Sequence, residues 1–521
     1  MTTLTNNAQR EFNTRGPVFP HVHYHVDRKE LRADLCARIE KGRYITLTSA
    51  RQVGKTTILR ETIADMEATG EYFGILLNFQ KLTSVSSERF YERLGKQIDQ
   101  WHFGTESWAS EKVQDQFEFI DYLCRTLQII GKRGILMIDE FDAIDVEILK
   151  PLLDQFRGMY LERFDPNAFA FHSIILVGVR NIPSLLEGTQ SPFNIADSFT
   201  IPAFSLSEIK MLYQQHTEET GQEFTQALLE AVYHESEGQP FLVNRLAQLL
   251  TQEVDADPNK PIGLPDMPYA LATITSENNT HTYSIVSKAT PHRKLLMPML
   301  LYNRTRTSFL DQPTQELIMY GVLRVVEAQR GLQYAKIGNP IYRKMLLLRF
   351  NEPLEPYAIN GEIRNRYLID GVLNFDGIVD NFKSFMKEHG IRLIQSKKSE
   401  RPLELGGQYL LLSYLSAALD NVQGIVTLES VSTAGEIDIL AFCQGQKFII
   451  ETKIWYGPAK FEEAKTQLLR YLNAAELTKG YLVVFDEKMD DNPILQEQGD
   501  LFEISVDDKV LRIYLIPVPH D

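Results

Sequence analysis

Cysteine is scarce in this chain: Cys36, Cys124 and Cys443 are the three in 521 residues, and no CxxC pair occurs. That spacing excludes a zinc ribbon and a disulfide framework, and it fits a reducing compartment. Long apolar runs are also missing. No stretch of 18 apolar residues exists, so no membrane helix is expected. The opening MTTLTNNAQREFNTRG is polar and has no h-region of a secretion signal. A cytoplasmic protein is expected. Positive charge is in deficit, with 54 Lys and Arg against 69 Asp and Glu, a net charge of −15. This excludes a protein that coats nucleic acid by bulk charge, and it leaves a local basic groove open.

What the chain does have is core-forming residues. Hydrophobic residues make up 44% and charged residues 24%, enough for each of three or four domains to bury a core. The first ~20 residues read as loosely held. From Asp27 the pattern alternates helix and strand. Residues 44–48 form a short β-rich run, followed by a loop and a helix from Lys55. Residues 72–79, 134–139 and 173–178 are near-continuous apolar runs, as strands of a parallel sheet buried on both faces require. From Ser205 three helices follow. Residues 255–268 read as a Pro-rich linker, and residues 290–350 as helices plus a hairpin around Arg330-Gly331, the pattern of a winged helix. A helical connector is expected over ~361–390.

Residues 49–57, SARQVGKTT, lie between that first strand and the helix. The Walker A pattern GxxxxGK[ST] needs this setting, because loop N–H groups and a helix N-terminus must wrap phosphates. Arg51, Gln52, Val53, Gly54 and Thr57 belong to the loop, Lys55 would meet the β- and γ-phosphates, and Thr56 would ligate Mg²⁺. Ser49 stands where the first Gly is usual, and it is acceptable if φ there is negative. The bland alternative is a lysine-capped surface turn. The partner motif is residues 135–142, ILMIDEFD. Its strand end presents Asp139 for the Mg²⁺ shell and Glu140 to orient the attacking water. At the end of the strand 173–178, either Arg180 or Asn181 would sense the γ-phosphate, and each is equally a strand-end cap.

These motifs, with VFPHVHYHVDRKELRADL, SPFNIADSFTIPAFSLSEIKML and EGQPFLVNRLA, resemble the AAA-like ATPase domain of bacterial STAND/AAA+ proteins over residues 15–350. The resemblance implies a three-helix lid, with Gly238, Gln239 and Pro240 near the adenine, and an ATP-driven switch or loader that often oligomerises. Arg157 and Arg163 are candidates for an arginine finger.

A second constellation lies near the C-terminus. Residues 435–442, a turn at 444–446 and residues 447–453 predict a hairpin. On the second strand Glu451 and Lys453 project to one face, and Asp438 on the first can converge with them. Two carboxylates and a backbone carbonyl suit Mg²⁺ or Mn²⁺, with Lys453 positioning a water. The spacing D-x12-ExK resembles the PD-(D/E)xK nucleases. Gln467 and Tyr471, at i and i+4 on a downstream helix, resemble the QxxxY pair of RecB-type nucleases. Glu404 and Glu429 are further acidic candidates, the former at the start of an amphipathic helix. Either residue is as easily a dipole partner.

Weaker features are His21, His23 and His25, which alternate and could hold a metal or simply lead into the domain. Trp101 and Trp108 read as packing residues, Trp455 borders the groove or the core, and the acidic stretch 486–508 reads as a solvated face.

The expected fold class is α/β: a P-loop AAA+-like parallel sheet with helical lid and winged helix, then a restriction-endonuclease-like α/β domain. The expected domains are 1–204 (ATPase), 205–260 (lid), 261–355 (winged helix), 356–394 (helical connector) and 395–521 (nuclease). The expected function is an ATP-regulated, metal-dependent nuclease, with ATP and Mg²⁺ or Mn²⁺ as cofactors. Its partners would be nucleic acid, with DNA placed ahead of RNA, a homo-oligomer and a protein trigger, with no membrane. Such a fusion implies bacterial antiviral defence or mobile-element biology. The competing expectation is a nucleotide-gated scaffold or nucleic-acid loader with an inactive nuclease fold. Over residues 391–480, basic and acidic residues number 10 each. A groove of Lys397, Lys398, Arg401, Lys453, Lys460 and Arg470 is therefore compatible with the acidic total.

Overall fold

The computed structural model describes residues 10–83, 85–103, 113–163, 165, 170–178, 195–254, 257, 259–302, 311–327, 333–350, 367–369, 372–394, 404–420, 425–432, 435–443, 445–486 and 492–518. The chain divides into two compact units. The first comprises Met1–Phe204, Gln239–Phe241 and Phe309–Leu323, and the second comprises the remainder.

The first unit is built on five parallel strands, β1 (Ile45–Thr48), β2 (Tyr72–Asn78), β3 (Arg133–Asp139), β4 (Ser173–Gly178) and β5 (Asp197–Phe199), in the order β2-β3-β4-β1-β5. Successive side chains of a strand face opposite ways, and both faces are covered. Ile135 and Met137 of β3 pack with α1 (Lys29–Glu40) and α2 (Lys55–Ala68). Leu136 and Ile138 pack with α3 (Ser87–Phe103), α4 (Gln116–Ile130) and α5 (Val146–Glu162). This double cover is why the strands read as unbroken apolar runs. The three-residue strand β5 was too short to leave a periodic signal. From residue 10 onward the N-terminal segment is packed rather than loosely held. Phe12 is buried with its ring 4.7 Å from Tyr24, and Glu11 bridges to His23.

In the second unit, Leu206–Thr220 opens with a Ser205–Glu208 capping box and closes on Gly221 in the left-handed region. Helix Gln226–Ser236 follows, and from Leu242 the unit takes in the rest of helix Pro240–Gln248, which continues into wider turns at Leu249–Val254. From residue 259 the segment expected as a Pro-rich linker is folded: Ile262 is buried and bridges Phe224, and a helix runs from Met267 to Ser276. Strands β6 (Leu323–Glu327) and β7 (Gln333–Ile337) pair as a hairpin, and the turn at Arg330-Gly331 lies outside the described residues. Across the unit, Lys344 and Glu235 form an ion pair at 2.8 Å with each side chain 1% exposed.

The unit ends in a six-stranded mixed sheet, β10 (Ile425–Ser432), β11 (Gly435–Cys443), β12 (Gln446–Ile454), β13 (Lys479–Asp486), β14 (Leu501–Val506) and β15 (Lys509–Pro517). Its order is β10-β11-β12-β13-β15-β14. β10, β11 and β12 are antiparallel neighbours, and the helix Pro458–Ala474 crosses over to place β13 parallel to β12. That helix covers one face through Phe461, Ala464, Leu468 and Leu472. Instead of a continuous helical connector, a small hairpin of β8 (Leu368–Ile369) and β9 (Val372–Leu373) precedes the helix Phe375–Ile394. Phe375 stacks on Phe448 at 4.2 Å. Helix Glu404–Asp420 is buried at Gln408, residues 410–415, Ala418 and Leu419, so it is apolar around most of its girth rather than amphipathic. The acidic stretch from Asp486 is likewise no plain solvated face. Asp486 is buried and accepts from Asn492, Asp500 pairs with Lys383 and Lys387, and Glu503 pairs with Arg512.

Among the described residues no helix is long and apolar enough to cross a membrane.

Candidate nucleotide and carboxylate sites

The loop between β1 and α2 is shaped by two left-handed residues, Gln52 at φ 57° and Gly54 at φ 90°. Gly54 is the N-cap of α2, where no side chain caps the helix. The first-turn N–H groups are thus served by neither Ser nor Asp, the arrangement an anion needs. Lys55 is 7% exposed and donates from Nζ to the carbonyls of Ser49 at 3.0 Å and Ala50 at 3.2 Å. Burial pushes its ammonium below the ordinary lysine range, while Glu140, Asp139 and Asp142 pull it back. Thr56 Oγ1 donates to Asp139 Oδ2 at 2.7 Å, which joins the two residues expected around Mg²⁺.

Glu140 follows β3 in the left-handed region at φ 53°, and its N–H donates to Asp139 Oδ1 at 3.0 Å. Burial raises the Glu140 carboxyl above its usual range, opposed by Lys55. These donors fit a phosphate chain with its cation. Arg51 accepts through its carbonyl from Gln239 Nε2 at 3.5 Å, next to Pro240 at the start of its helix. Val53 is buried, and Thr57 Oγ1 accepts from the Val18 N–H at 3.2 Å.

Ser49 explains its own departure from Gly. Its φ is not positive, and its Oγ accepts from the buried Ile201 N–H at 3.0 Å just past β5. The motif alone hid this contact, because Ile201 is 152 residues away.

In the C-terminal sheet, β11 and β12 pair as far as Ile439 opposite Ile450. Beyond that point the Asp438 carboxylate occupies the gap. Asp438 Oδ2 accepts from the Thr452 N–H at 2.8 Å and from Thr452 Oγ1 at 3.0 Å. Glu451 is 0% exposed, and Lys453 Nζ reaches its Oε1 at 2.6 Å, Asp438 Oδ2 at 3.5 Å and the Thr452 carbonyl at 3.0 Å. One ammonium therefore already touches both carboxylates, so the donor set suits a cation. Among the described residues there is no group of three or more His, Cys, Asp or Glu arranged for a metal. A divalent ion here would draw its remaining ligands from backbone, water or substrate. Burial raises the Asp438 carboxyl, against the pull of Lys453 and Thr452. Thr452, the middle residue of the ETK triplet, was missed by the sequence reading although it orients Asp438 through two hydrogen bonds. Gln467 Nε2 donates to Tyr471 Oη at 2.8 Å on the covering helix, and Tyr471 is buried.

Other expected residues are placed differently or fall outside the description. Arg180 and Asn181 lie outside the described residues, as do Trp108, Lys397, Lys398 and Arg401, and the side chains of Trp101, Glu404 and Glu429. His25 pairs with Glu61 at 2.7 Å, and His23 accepts from the Phe19 N–H. Arg163 lies over the Tyr160 ring and donates to the Gly42 carbonyl at 3.0 Å, so it is engaged within its own unit. Trp455 packs against Phe461 at 5.9 Å.

Residues 13–258 match the family described as an AAA-like domain. Among solved structures, a Walker-type ATPase of Pyrococcus abyssi is similar at 17% identity and a TM-score of 0.45, over 64% of this chain and 99% of that one. The Aeropyrum pernix Orc1 protein in complex with DNA is similar at 12% identity and a TM-score of 0.34, over 60% and 90%. The Thermotoga maritima RuvB Holliday junction branch migration motor is similar at 13% identity and a TM-score of 0.36, over 65% and 99%. No curated protein matches the chain. With its parallel five-stranded sheet, phosphate loop and joined Thr56–Asp139 pair, the N-terminal part of the chain is an AAA-like P-loop ATPase domain.

Proposed function

We propose that this protein is an ATP-regulated, metal-dependent nuclease. One observation carries the reading: the Asp438 and Glu451 carboxylates both lie within 3.5 Å of Lys453 Nζ, beside a helix that bears Gln467 and Tyr471, in a chain whose N-terminal part matches an AAA-like domain. The order of a helix, three antiparallel strands, a crossover helix and a parallel strand is compatible with a restriction-endonuclease-like fold.

In the ATPase site Lys55 holds the β- and γ-phosphates, Thr56 and Asp139 hold Mg²⁺, and Glu140 orients the attacking water. In the nuclease site Asp438 and Glu451 hold Mg²⁺ or Mn²⁺, which when bound acidifies a water and offsets charge at phosphorus. Thr452 keeps Asp438 aimed into the site, and Lys453 donates to the water or to a phosphate oxygen. Gln467 fixes the Tyr471 hydroxyl toward the strand. Residues 205–260 act as lid and 261–355 as winged helix, relaying the nucleotide state to 395–521. DNA is the preferred substrate, an oligomer is the working form, and bacterial defence or mobile-element biology is the setting.

The test incubates the full chain with plasmid and single-stranded DNA, with Mg²⁺ or Mn²⁺, and with or without ATP. Metal-dependent cleavage that Lys453→Ala removes is expected. The absence of cleavage under every condition sinks the reading. In that event a nucleotide-gated scaffold is favoured by the Lys453 ammonium that already bridges both carboxylates.

A further inference from the structure

Beside the carboxylate site lies one cation that the reading above leaves without a task. The helix Pro458–Ala474 carries Lys460, Lys465 and Arg470. Lys460 is paired with Glu463, and Lys465 with Glu462 at 2.8 Å. Arg470 is exposed, and among the described residues no carboxylate pairs with it. Its helical neighbours at i±3 and i±4 are Thr466, Gln467, Asn473 and Ala474, so its own helix offers it no acidic partner within a turn.

Arg470 is nonetheless held against a specific place. A Cβ built on Gly435 would stand 3.4 Å from Arg470 Nη2 and 3.3 Å from Tyr471 Oη. Gly435 has φ 128°, a conformation that L side chains rarely adopt, so this end of β11 stays bare. The guanidinium thus lies against the start of β11, three residues before Asp438, about 10 Å along the strand. That distance is too long for the bond under attack and suits a neighbouring phosphate of the same strand.

We infer that Arg470 clamps a nucleic-acid backbone phosphate flanking the cleaved bond. A planar guanidinium gives a phosphate two parallel charge-assisted hydrogen bonds. Being exposed, it carries little desolvation cost before the substrate arrives. The contact reads backbone and not base, so it positions the strand without choosing sequence. This inference rests on the nuclease reading and names how that site would hold its substrate.

The test uses the full chain carrying Lys453→Ala, so that nothing is cut, with a fluorescently labelled DNA oligonucleotide in Mg²⁺. Adding Arg470→Ala is expected to weaken binding about tenfold. It should also make the slope of log Kd against log salt shallower by about 0.7 for single strands or about 0.9 for duplex, one phosphate contact. Arg470→Lys should keep the salt slope and lose part of the affinity. With Lys453 intact, Arg470→Ala should raise KM and leave kcat within about twofold. If wild type cleaves and Arg470→Ala leaves Kd, salt slope and KM unchanged, the clamp is wrong and the nuclease reading survives. If wild type neither binds nor cleaves any nucleic acid, both fall together.

Discussion

The two candidate sites treat their lysines in opposite ways. Lys55 is buried and is held by main-chain carbonyls of its own loop. Lys453 is 29% exposed and is held by two carboxylates that come from two strands. The first site is made of backbone: a left-handed glycine, uncapped helix N–H groups and a short run of chain. The second is made of side chains carried on a splayed pair of strands and a crossover helix. A backbone site tolerates a change such as Ser for Gly when the dihedral angle permits it. A side-chain site depends on register, because a slip of one residue turns Asp438 or Glu451 to the opposite face.

The largest expected effects separate the two sites. Lys55→Ala should lower ATP turnover by about a hundred- to a thousand-fold, and Lys453→Ala should lower cleavage by a similar factor, because each removes a cation from the point of developing charge. Phosphate release and plasmid nicking, measured on both variants, check this. Equal turnover by Lys55→Ala and wild type would break the comparison at its first half.

Next in size is the contrast between Lys453 and the buried Lys344. Both are paired, but Lys344 and Glu235 are sealed from solvent at 1% exposure each. Lys344→Met should cost about 3–5 kcal/mol, since it strands a buried carboxylate, and Glu235→Leu added to it should restore much of the loss. Thermal melting reads both variants. A Lys344→Met protein that melts with wild type would show that the pair is not buried as described.

A smaller effect comes from acid. Burial lowers His281 to about 3, and its Nε2 lies 2.8 Å from Tyr342 Oη. The folded value lies below the unfolded one of about 6.5, so the unfolded chain binds the extra proton between them. His281 therefore contributes stability that is full above pH 6.5 and declines as pH falls toward 3, by up to about 1.4 kcal/mol per pH unit. Melting at pH 7 and pH 5 should show a drop that His281→Gln reduces. Equal pH sensitivity in the variant would remove His281 from the account.

The smallest effect tests the departure in the phosphate loop. Ser49→Ala deletes the acceptor for the Ile201 N–H and should cost about 1 kcal/mol in stability. If Ser49→Gly proves as stable as wild type, the hydroxyl contributes nothing beyond its backbone angle.

Contiguous features were legible. The parallel strands appeared as apolar runs because both sheet faces are covered, and the phosphate loop is nine consecutive residues between strand and helix. Three-residue β5 carried no pattern, and the helix Glu404–Asp420 reads as amphipathic only while its neighbours are unknown. The acidic stretch after Asp486 misled for the same reason: its partners Lys383, Lys387 and Asn492 are remote or hidden in the pattern.

Local chemistry was settled by order along the chain. Residue type and spacing put a lysine at a helix start, two carboxylates at a strand end, and Glu451 and Lys453 on one face, because periods of 3.6 and 2 are properties of the backbone itself. Tertiary structure alone decided what closes each site. Ile201 reaches Ser49, Thr452 aims Asp438 across the gap between strands, and Arg470 lies over Gly435. Such contacts depend on where strands diverge and helices cross, and those positions are set by burial across the whole sheet rather than by any neighbour in sequence.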